Sequence, residues 1–366
     1  MPTHRIRARL PHASTQTPVT QITATEGVAD FLEDAAHYPG GHAPAVVFPR
    51  DEVQLASVLQ DAAAVLPIGA QSSLTGGATP RGEVVLSLSK LTVIAEPAPT
   101  HITVQPGVTL TRLRNTLTAA GKAYPPVPTF EGATIGGIVS TNAAGATTFK
   151  YGTTRDWVRG LSVMLACGKL LDLERGQVRA ADGRFAVETS TGTITVPVPT
   201  YRMPDVPKHS AGYHAAPEMD LIDLFVGSEG TLGIVTSVTL DILPHRPEIS
   251  LILVVLDDEA RAVRVATQLR DASVETRRAR TRNGLDIVAV EYMDRRCLDL
   301  LRHEGADRRT RVTIAETAGV VLLAQVELPP GTTAAQVHQE VGRAAAADHA
   351  YFEFGHWIIS WMYCAV

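Results

Sequence analysis

The sequence predicts an α+β protein with more than one domain. Its 366 residues are enough for two or three domains at roughly 100–200 residues each. A composition of 45% hydrophobic and 19% charged residues is that of an ordinary globular chain, not of a disordered or fibrous one. Strand-like and helix-like segments alternate beyond residue 247, a pattern typical of helices packed on a sheet.

The first half of the chain begins with a short buried strand at 45–49, followed by a helix that Asp51 can cap. A second helix is predicted over 109–120, because its leucines step by three and four and Gly121 stands where a C′ residue belongs. Further strands are predicted at 65–69, 83–88 and 101–105.

In the second half, residues 158–173 predict two strands that turn at Gly168, and residues 232–243 alternate like another strand. We place a domain boundary near Pro244 and Pro247. Beyond it the order is strand, helix, strand, helix, strand, helix, with the helices expected on one sheet face. The arginine run Arg277, Arg278, Arg280 and Arg282 is compatible with phosphate or nucleic-acid binding, but a solvated loop is favoured because aromatic residues are not interleaved.

Charge and cysteine content restrict the function classes. The formal net charge of −5 lacks the basic excess typical of nucleic-acid-binding proteins. Cys167, Cys297 and Cys364 form neither a disulfide framework nor a metal-binding pair, which indicates a reducing, cytoplasmic setting. The sequence shows no secretory signal and no apolar run long enough to span a membrane. The aromatic-rich residues 349–366 are either a packed element or sequence foreign to its context.

A segment rich in glycine and hydroxyl residues, PIGAQSSLTGGA, follows the strand at 65–69. Glycine permits close approach of the backbone, so that successive N–H groups can line a concavity that binds phosphate oxygens. The segment lacks the G-K-[ST] ending of a nucleotide P-loop and the G-x-G-x-x-G pattern of a Rossmann fold. Taken alone, it is compatible with a phosphate site and with a plain connection.

Four more segments of this kind follow along the chain: PGV (106–108), ATIGGIVSTNAAG (133–145), KHSAGY (208–213) and GSEGTLGIV (227–235). Thr134 is the predicted N-cap of a helix. The glycines after it either present backbone N–H groups to an anion or flavin carbonyl, or only permit tight packing. The last segment is either a ligand wall or a glycine-rich turn into a strand.

Together and in this order, the segments resemble flavoproteins of the vanillyl-alcohol oxidase/p-cresol methylhydroxylase (PCMH) superfamily, above all the D-lactate dehydrogenase/glycolate oxidase large-subunit branch. The motifs KYGTTRDWVRGLSVMLACGKLL and GSEGTLGIVTSV add to this similarity. The resemblance implies an N-terminal segment at 1–40 and a PCMH-type FAD-binding domain of two α+β subdomains at 41–245. It implies a partial cap domain with an incomplete ferredoxin-like sheet at 246–348, before an atypical tail at 349–366.

The resemblance also implies which residues bind FAD. The loop around the pyrophosphate would be formed by Ile68, Gly69, Ala70, Gln71, Ser72, Ser73, Leu74 and Thr75. The flavin and its ribityl chain would lie along Pro106, Gly107, Thr134, Ile135, Gly136, Gly137, Thr141, Asn142 and Gly145. The adenine end would meet Glu229, Gly233, Ile234 and Val235. No histidine occurs where one group of relatives attaches the flavin covalently, so we expect non-covalent FAD.

The chemistry implied by the resemblance is oxidation of a D-2-hydroxy acid of the D-lactate or glycolate type. A hydride leaves the α-carbon for flavin N5 while a base takes the hydroxyl proton. Lys208, His209 and Tyr213 are the candidate catalytic residues, with a purely structural role as the alternative for His209. The histidine-rich metal motif of the family is absent. His338, His349 and His356 do not stand at ligand spacing, so no metal ligand is predicted.

Two other functions remain open at this point. The chain could be an FAD-binding electron-transfer subunit whose partner supplies the substrate site, or a non-catalytic FAD-binding remnant shortened at its carboxyl end. The expected partners are a small-molecule hydroxy acid and an unidentified electron acceptor, without nucleic acid. A homo-oligomer or a partner subunit is also compatible with the sequence.

Overall fold

The computed structural model describes residues 6–7, 18–126, 128–189, 192–206, 208–280, 284–305, 314–329, 331–345 and 351–354. The predicted α+β class is confirmed. The chain divides into two compact units, the first made of Met1–Gly145 with Gly152–His245 and the second of Ala146–Tyr151 with Arg246–Val366. The second unit therefore includes a six-residue segment that interrupts the first unit in sequence.

The smaller sheet of the first unit has four strands in the order β2-β3-β5-β4. They are β2 (Thr20–Ile22), β3 (Val46–Phe48), β4 (Val65–Ile68) and β5 (Val84–Ser87), accompanied by helices α1 (Thr25–Ala29) and α2 (Glu52–Asp61). β3, β5 and β4 run parallel, and β2 is antiparallel to β3. Asp51 caps α2 as predicted, because its Oδ1 accepts the Gln54 backbone N–H at 2.8 Å.

The larger sheet of the first unit has seven strands in the order β10-β9-β1-β8-β7-β11-β6. They are β1 (Ile6–Arg7), β6 (His101–Val104), β7 (Val158–Met164), β8 (Leu170–Glu174), β9 (Arg184–Thr189), β10 (Gly192–Pro197) and β11 (Ile234–Asp241). All neighbours are antiparallel except β1 and β9. The helices of this part are α3 (Leu110–Ala119), α4 (Ile135–Ser140), α6 (Ile222–Phe225) and a 3-10 turn (Thr154–Trp157).

The hydrophobic core of this region forms between one face of the seven-stranded sheet and helices α3 and α4. The three leucines that predicted α3 are fully buried in it: Leu110, Leu113 and Leu117. Gly121 adopts the left-handed conformation expected of a C′ residue, with φ +69°. The strands and helices predicted in this half are found, and the β9–β10 hairpin is additional.

The second unit is built on a four-stranded antiparallel sheet in the order β13-β14-β12-β15. Its elements are α5 (Thr148–Tyr151), β12 (Glu248–Leu256), α7 (Glu259–Ala279), β13 (Ile287–Asp294), α8 (Arg295–His303), β14 (Val320–Leu328), α9 (Ala334–Ala345) and β15 (Tyr351–Phe354). From β12 to β15 this is a ferredoxin-like β-α-β-β-α-β order with α8 inserted before the third strand.

Two sequence predictions for this unit differ from the structure. The helices do not share one face: Ile252 and Val254 of β12 pack with α7 and α9, whereas Leu251 and Leu253 pack with Leu298 of α8. Successive strand residues point to opposite faces, and both faces of β12 are apolar. Residues 351–354 also pair with β12, so the sheet expected to be incomplete has four strands. The other residues of the 349–366 tail, with His349 and His356, lie outside the described residues.

The first two arginines of the run, Arg277 and Arg278, lie in a helix and not in the solvated loop that was predicted. Both lie in the last turn of α7, and Arg280 ends the helix with φ +52°. The Arg277 guanidinium lies 4.6 Å from the ring centre of Phe149 and pairs with Asp286 through Nε at 3.0 Å. Arg277 therefore has a structural role within the second unit. Arg282 lies outside the described residues.

Candidate functional site

The glycine-rich loop after β4 is tied down at its base by Gln71. This residue has φ +48°, and its Nε2 lies 3.0–3.1 Å from the carbonyl oxygens of Phe31, Glu33 and Ala78, to which it donates. The Gln71 carbonyl in turn accepts the Ala35 N–H at 3.0 Å. The loop is thus a fixed turn rather than a free connection.

The tip of this loop carries the hydroxyl groups and faces a carboxylate. Ser73 Oγ and Thr75 Oγ1 are hydrogen-bonded at 2.9 Å, and Leu74 beside them is 78% exposed. A methyl group added at Gly77 would lie 3.2 Å from Glu229 Oε2. The structure therefore brings the predicted pyrophosphate loop next to the predicted adenine-end residue Glu229. Ala70 in the same loop is exposed, and Ser72 is half-buried.

Thr134 forms the wall opposite the start of the loop. It occupies the N-cap position of α4 as predicted, but its side chain makes no cap hydrogen bond. Its Oγ1 is buried and has no hydrogen-bond partner among the described residues. A methyl group at Gly69 would lie 2.2 Å from this oxygen, so glycine permits the contact. Because a buried hydroxyl without a partner is costly, Oγ1 is a position where a ligand atom would be stabilising.

The paired glycines that follow have different surroundings from those expected for an anion site. Gly136 donates its N–H to the Pro106 carbonyl at 2.8 Å, and Ile135 donates its N–H to Val108 at 2.8 Å. A methyl group at Gly136 would lie 2.6 Å from Pro106 Cβ. At Gly136 the structure thus supports the tight-packing interpretation. Gly107 is held in the same way, because its N–H donates to the Leu91 carbonyl at 2.8 Å.

The carboxyl end of α4 is joined by backbone hydrogen bonds to the turn Gly227–Gly230, here called the GSEG corner. Glu229 donates its N–H to Ser140 at 2.8 Å, and Gly227 donates to Val139 at 3.0 Å. Thr141 Oγ1 donates to the Gly137 carbonyl at 2.9 Å, one turn back in the helix. The predicted flavin-side and adenine-end segments are therefore joined directly to one another.

Asn142 and Gly145 complete the predicted flavin segment. Asn142 is buried and has φ +46°, a conformation that asparagine tolerates better than most residues. Its Oδ1 accepts the Arg155 backbone N–H at 2.9 Å, so this oxygen is already used within the protein. Gly145 is half-buried and is the last residue before the segment that belongs to the second unit.

The candidate catalytic segment lies beside these walls. Lys208 is exposed, and its Nζ donates to the Ala144 carbonyl at 3.4 Å. The Tyr213 hydroxyl is 2.7 Å from Thr231 Oγ1. The rings of His209 and His214 are parallel, with their centres 6.2 Å apart. The structure thus places Lys208 near the predicted flavin segment and Tyr213 near the GSEG corner.

His214 was not among the predicted site residues. Its Nδ1 is buried without a hydrogen-bond partner among the described residues. Burial, and secondarily the positive charge of Arg155, lower the pKa of His214 below its ordinary value. The imidazole is therefore neutral near neutral pH. No predicted site motif includes His214, so only its surroundings in the fold identify it.

Four predicted cofactor residues have side chains inside the hydrophobic cores: Ile68, Ile135, Ile234 and Val235. Only their backbone atoms are available to a ligand. Gly233 is required by packing, because a methyl group there would lie 2.6 Å from Val163 Cγ1 and 3.0 Å from the Met164 carbonyl.

Glycines at points of close approach and a buried hydroxyl without a partner fit an extended cofactor bound along the backbone. The corresponding test for a metal fails in the part of the chain that the structure describes, where no group of three histidine, cysteine, aspartate or glutamate side chains could hold an ion. No metal-assisted step is therefore derived. Within the same residues, no helix combines the length and apolar character needed to cross a membrane.

Comparisons with known proteins agree with this geometry. Residues 43–174 match the family described as an FAD binding domain. The D-lactate dehydrogenase of Anaerostipes hadrus is 33% identical over 245 residues, which are 64% of this chain and 44% of that protein. Glycolate oxidase subunit GlcD of Bacillus subtilis is 33% identical over 212 residues, covering 56% of this chain and 37% of that protein.

The D-2-hydroxyglutarate dehydrogenase of Xanthomonas citri pv. viticola is 32% identical over 220 residues, covering 58% of this chain and 39% of that protein. The chain thus spans less than half the length of these relatives. An alkyldihydroxyacetonephosphate synthase structure shares the fold, with a TM-score of 0.67 and 15% identity over 94% of this chain and 60% of that one. Residues 43–174 therefore carry an FAD-binding domain, and the chain shares its fold with the alkyldihydroxyacetonephosphate synthase structure.

Proposed function

We propose that this chain is an FAD-dependent oxidoreductase that acts on the CH–OH group of a D-2-hydroxy acid of the D-lactate or glycolate type. The observation that carries the proposal is the sequence similarity to D-lactate and D-2-hydroxyglutarate dehydrogenases across the FAD-binding region. The placement of Lys208 and Tyr213 beside the predicted FAD-contact segments supports it. When bound, FAD supplies the acceptor for the hydride of the α-carbon.

The three candidate residues have distinct roles in this proposal. The exposed Lys208 ammonium binds the substrate carboxylate as a charge-assisted partner. The Tyr213 hydroxyl, held by Thr231, orients the substrate by a hydrogen bond. The His209 imidazole accepts the proton of the substrate hydroxyl. A substrate that places its carboxylate on Lys208 would present its α-carbon to the flavin side of the site.

We propose that FAD binds without a covalent link. The loop from Leu66 to Thr75 contains no histidine to which the flavin could attach. Denaturation of the FAD-loaded protein followed by ultrafiltration tests this directly. All of the yellow colour is expected in the filtrate. Colour retained with the polypeptide would contradict the proposal.

The activity is tested by anaerobic titration of the FAD-loaded chain with D-lactate, glycolate and D-2-hydroxyglutarate, with L-lactate as the stereochemical control. At least one of the D-2-hydroxy acids or glycolate is expected to bleach the visible flavin band, and L-lactate is not. A chain that binds FAD fully but is bleached by none of them would contradict the proposal. That result would favour an FAD-binding electron-transfer subunit or a non-catalytic FAD-binding protein.

The role of Lys208 has a matched control in Lys169, which is also exposed and lies in the turn between β7 and β8. Lys208→Met is expected to raise the substrate concentration for half-bleaching by about tenfold or more, the effect of losing about 1.4 kcal/mol. FAD affinity is expected to stay unchanged, and Lys169→Met should alter neither quantity. Equal effects of the two substitutions would show that Lys208 does not bind the substrate.

The partners and location follow from the same proposal. The electron acceptor is a separate molecule whose identity the reaction type does not specify. A cytoplasmic location is proposed, supported by the free thiols of Cys167 and Cys297. Fractionation of the producing cells, with immunodetection of the chain in the soluble and membrane fractions, tests the location.

A further inference from the structure

Arg155 lies at the centre of a buried hydrogen-bond network in the first unit. Its Nη2 donates to the Val226 carbonyl at 2.6 Å, and its Nη1 donates to the Asp223 carbonyl. Its backbone N–H donates to Asn142 Oδ1 at 2.9 Å. The side chain is only 14% exposed. One residue therefore contacts both the end of the flavin segment and the chain leading into the GSEG corner.

The charge of Arg155 is compensated locally. Asp223 Oδ1 lies 3.5 Å from Arg155 Nη1 and 3.0 Å from Arg175 Nη2, and Arg175 also donates to the Arg155 carbonyl at 2.9 Å. Burial lowers the pKa of Arg155, and Asp223 opposes this shift. The guanidinium keeps its proton, since arginine titrates far above neutral pH. Arg175 and Asp223 thus hold Arg155 in a single orientation.

The two segments that Arg155 contacts contain residues in unusual backbone conformations. Asn142 has φ +46°, Gly227 has φ +87° and Glu229 has φ +52°. A side chain at Gly227 would begin 3.4 Å from Arg155 Nη2 and 3.5 Å from Asn142 Cβ. Left-handed residues other than glycine persist only where their surroundings hold them. The planar fork of arginine donates to the Asp223 and Val226 carbonyls at once, which the single-point ammonium of lysine cannot do in the same geometry.

We infer that Arg155 is a positioning residue for the FAD site. Its guanidinium acts through the Asp223 and Val226 carbonyls, which lead into the Gly227–Glu229 turn, and it does not itself touch the cofactor. The inference rests on FAD binding by this chain and is independent of the hydroxy-acid substrate. The backbone N–H of residue 155 keeps its bond to Asn142 in any variant, whereas loss of the guanidinium would release the segment from Asp223 to Glu229, so that FAD would bind weakly and in a less ordered way.

The test compares Arg155→Ala and Arg155→Lys with Arg159→Ala. Arg159 is a good control because it lies in the same unit and pairs with Asp241 at 2.9 Å, but its side chain is 39% exposed. The measurements are the FAD dissociation constant by flavin fluorescence, the visible circular dichroism of bound FAD, and thermal unfolding of the apoprotein. Arg155→Ala is expected to weaken FAD binding about tenfold or more, and Arg159→Ala about twofold or less.

A purely structural role would lower the apoprotein melting temperature without changing FAD affinity or the visible circular dichroism below that temperature, and this result would overturn the inference. Chemical rescue sharpens the test. Millimolar guanidinium chloride, compared with sodium chloride of the same concentration, is expected to restore FAD affinity in Arg155→Ala by refilling the space beside Val226 and Asp223. If guanidinium did not restore FAD affinity and the visible circular dichroism of Arg155→Ala were unchanged, the inference would also be contradicted.

If Arg155→Ala fails to fold, Arg155→Lys decides the question, because it keeps the positive charge but replaces the forked guanidinium with a single nitrogen. Unchanged FAD affinity and circular dichroism in a folded Arg155→Lys variant would overturn the inference. Failure of hydroxy acids to bleach the flavin bears only on the proposed activity. Failure of the unaltered chain to bind FAD would overturn the inference itself.

Discussion

Gly69 and Thr134 are in such close contact that a methyl group on Gly69 would lie 2.2 Å from Thr134 Oγ1. This contact joins the loop after β4 to the start of α4, two segments that are 65 positions apart in the sequence. The predicted pyrophosphate loop and the predicted flavin segment are therefore in direct contact. This contact is possible because residue 69 has no side chain.

The first prediction concerns this contact. Gly69→Ala is expected to lower the free energy of unfolding by about 1–3 kcal/mol, the usual cost of an overpacked contact, and to weaken FAD binding. Gly342→Ala is the control, because no atom lies within 4 Å of its added methyl group and alanine favours the helix. Urea unfolding and fluorescence titration with FAD measure both effects. A Gly69→Ala variant that binds FAD normally would contradict the prediction.

The second prediction concerns the unpartnered hydroxyl of Thr134. Thr134→Val is expected to leave apoprotein stability unchanged or slightly raised, because it removes a buried hydroxyl that has no described partner. FAD binding is expected to weaken by about 1 kcal/mol, the usual value of one hydrogen bond. The two effects have opposite signs and are measured by urea unfolding and FAD titration.

Thr236 provides the control for that substitution. Its Oγ1 is equally buried but donates to Glu52 Oε1 at 2.7 Å. Thr236→Val is expected to cost about 1–3 kcal/mol of apoprotein stability, because the Glu52 carboxylate loses its donor. If both valine variants destabilised the apoprotein equally, the Thr134 hydroxyl would have a protein partner after all.

The third prediction is a pH dependence of stability that arises from His214. Burial and Arg155 lower its pKa in the folded state below the ordinary 6.5. The unfolded chain then takes up a proton that the folded chain does not, so stability falls as the pH decreases through 6.5 toward the lowered folded value. His214→Gln is expected to flatten the decline in unfolding free energy between about pH 7.5 and 5.5.

His37 is the comparison for this measurement, since its side chain is 81% exposed and pairs only with Glu33 at the surface. His37→Gln removes an exposed imidazole and provides the reference slope for the loss of a histidine. Equal slopes for the His214→Gln variant and the unaltered protein would show that His214 takes up protons equally in the folded and unfolded states, which would contradict the prediction.

The fourth prediction concerns Lys150 in the second unit. Its Nζ lies 2.6 Å from Asp286 Oδ2 and 2.7 Å from Glu327 Oε2, and the three side chains are 14–21% exposed. Lys150→Met would leave two largely buried carboxylates without this cation. We expect a loss of about 2–4 kcal/mol in unfolding free energy, slightly less than for a fully buried pair.

An exposed ion pair in the same unit gives the reference. Arg261 Nη1 lies 2.9 Å from Asp257 Oδ2, but the side chains are 32% and 77% exposed. Arg261→Met is therefore expected to cost only about 0–1 kcal/mol. Urea unfolding of both variants measures the two losses in unfolding free energy. A Lys150→Met variant as stable as Arg261→Met would mean that the carboxylates are solvated.

Local patterns predicted the regular elements well, because caps and apolar spacing act over a few residues. Asp51 and Gly121 are examples, and both have the roles expected of them. The β9–β10 hairpin was missed, although Phe185 and Val187 of β9 alternate with exposed residues, and β10 is largely exposed. The apolar strand Glu248–Leu256 is buried on both faces, and a run without alternation does not reveal on which face each helix will pack.

The fold brings some of the predicted site segments together, while their contacts with FAD stay a prediction. The family motifs identified loops that the fold brings together, such as Gly77 beside Glu229. They could not show that the Gly136 N–H is already bonded to Pro106 or that Thr134 Oγ1 has no described partner. Arg155 was also missed, because its importance comes from Val226, which is 71 positions away.

The discontinuous second unit has a consequence for synthesis on the ribosome. Tyr151 donates a hydrogen bond to Glu327, which is made 176 residues later. At a synthesis rate of about 5–20 residues per second, the segment Ala146–Tyr151 emerges roughly 10–35 s before this partner. The surrounding first unit can fold during that interval, while these six residues cannot reach their final packing. If the chain were divided near Pro244 for expression, the segment Ala146–Tyr151 would be separated from the rest of its unit.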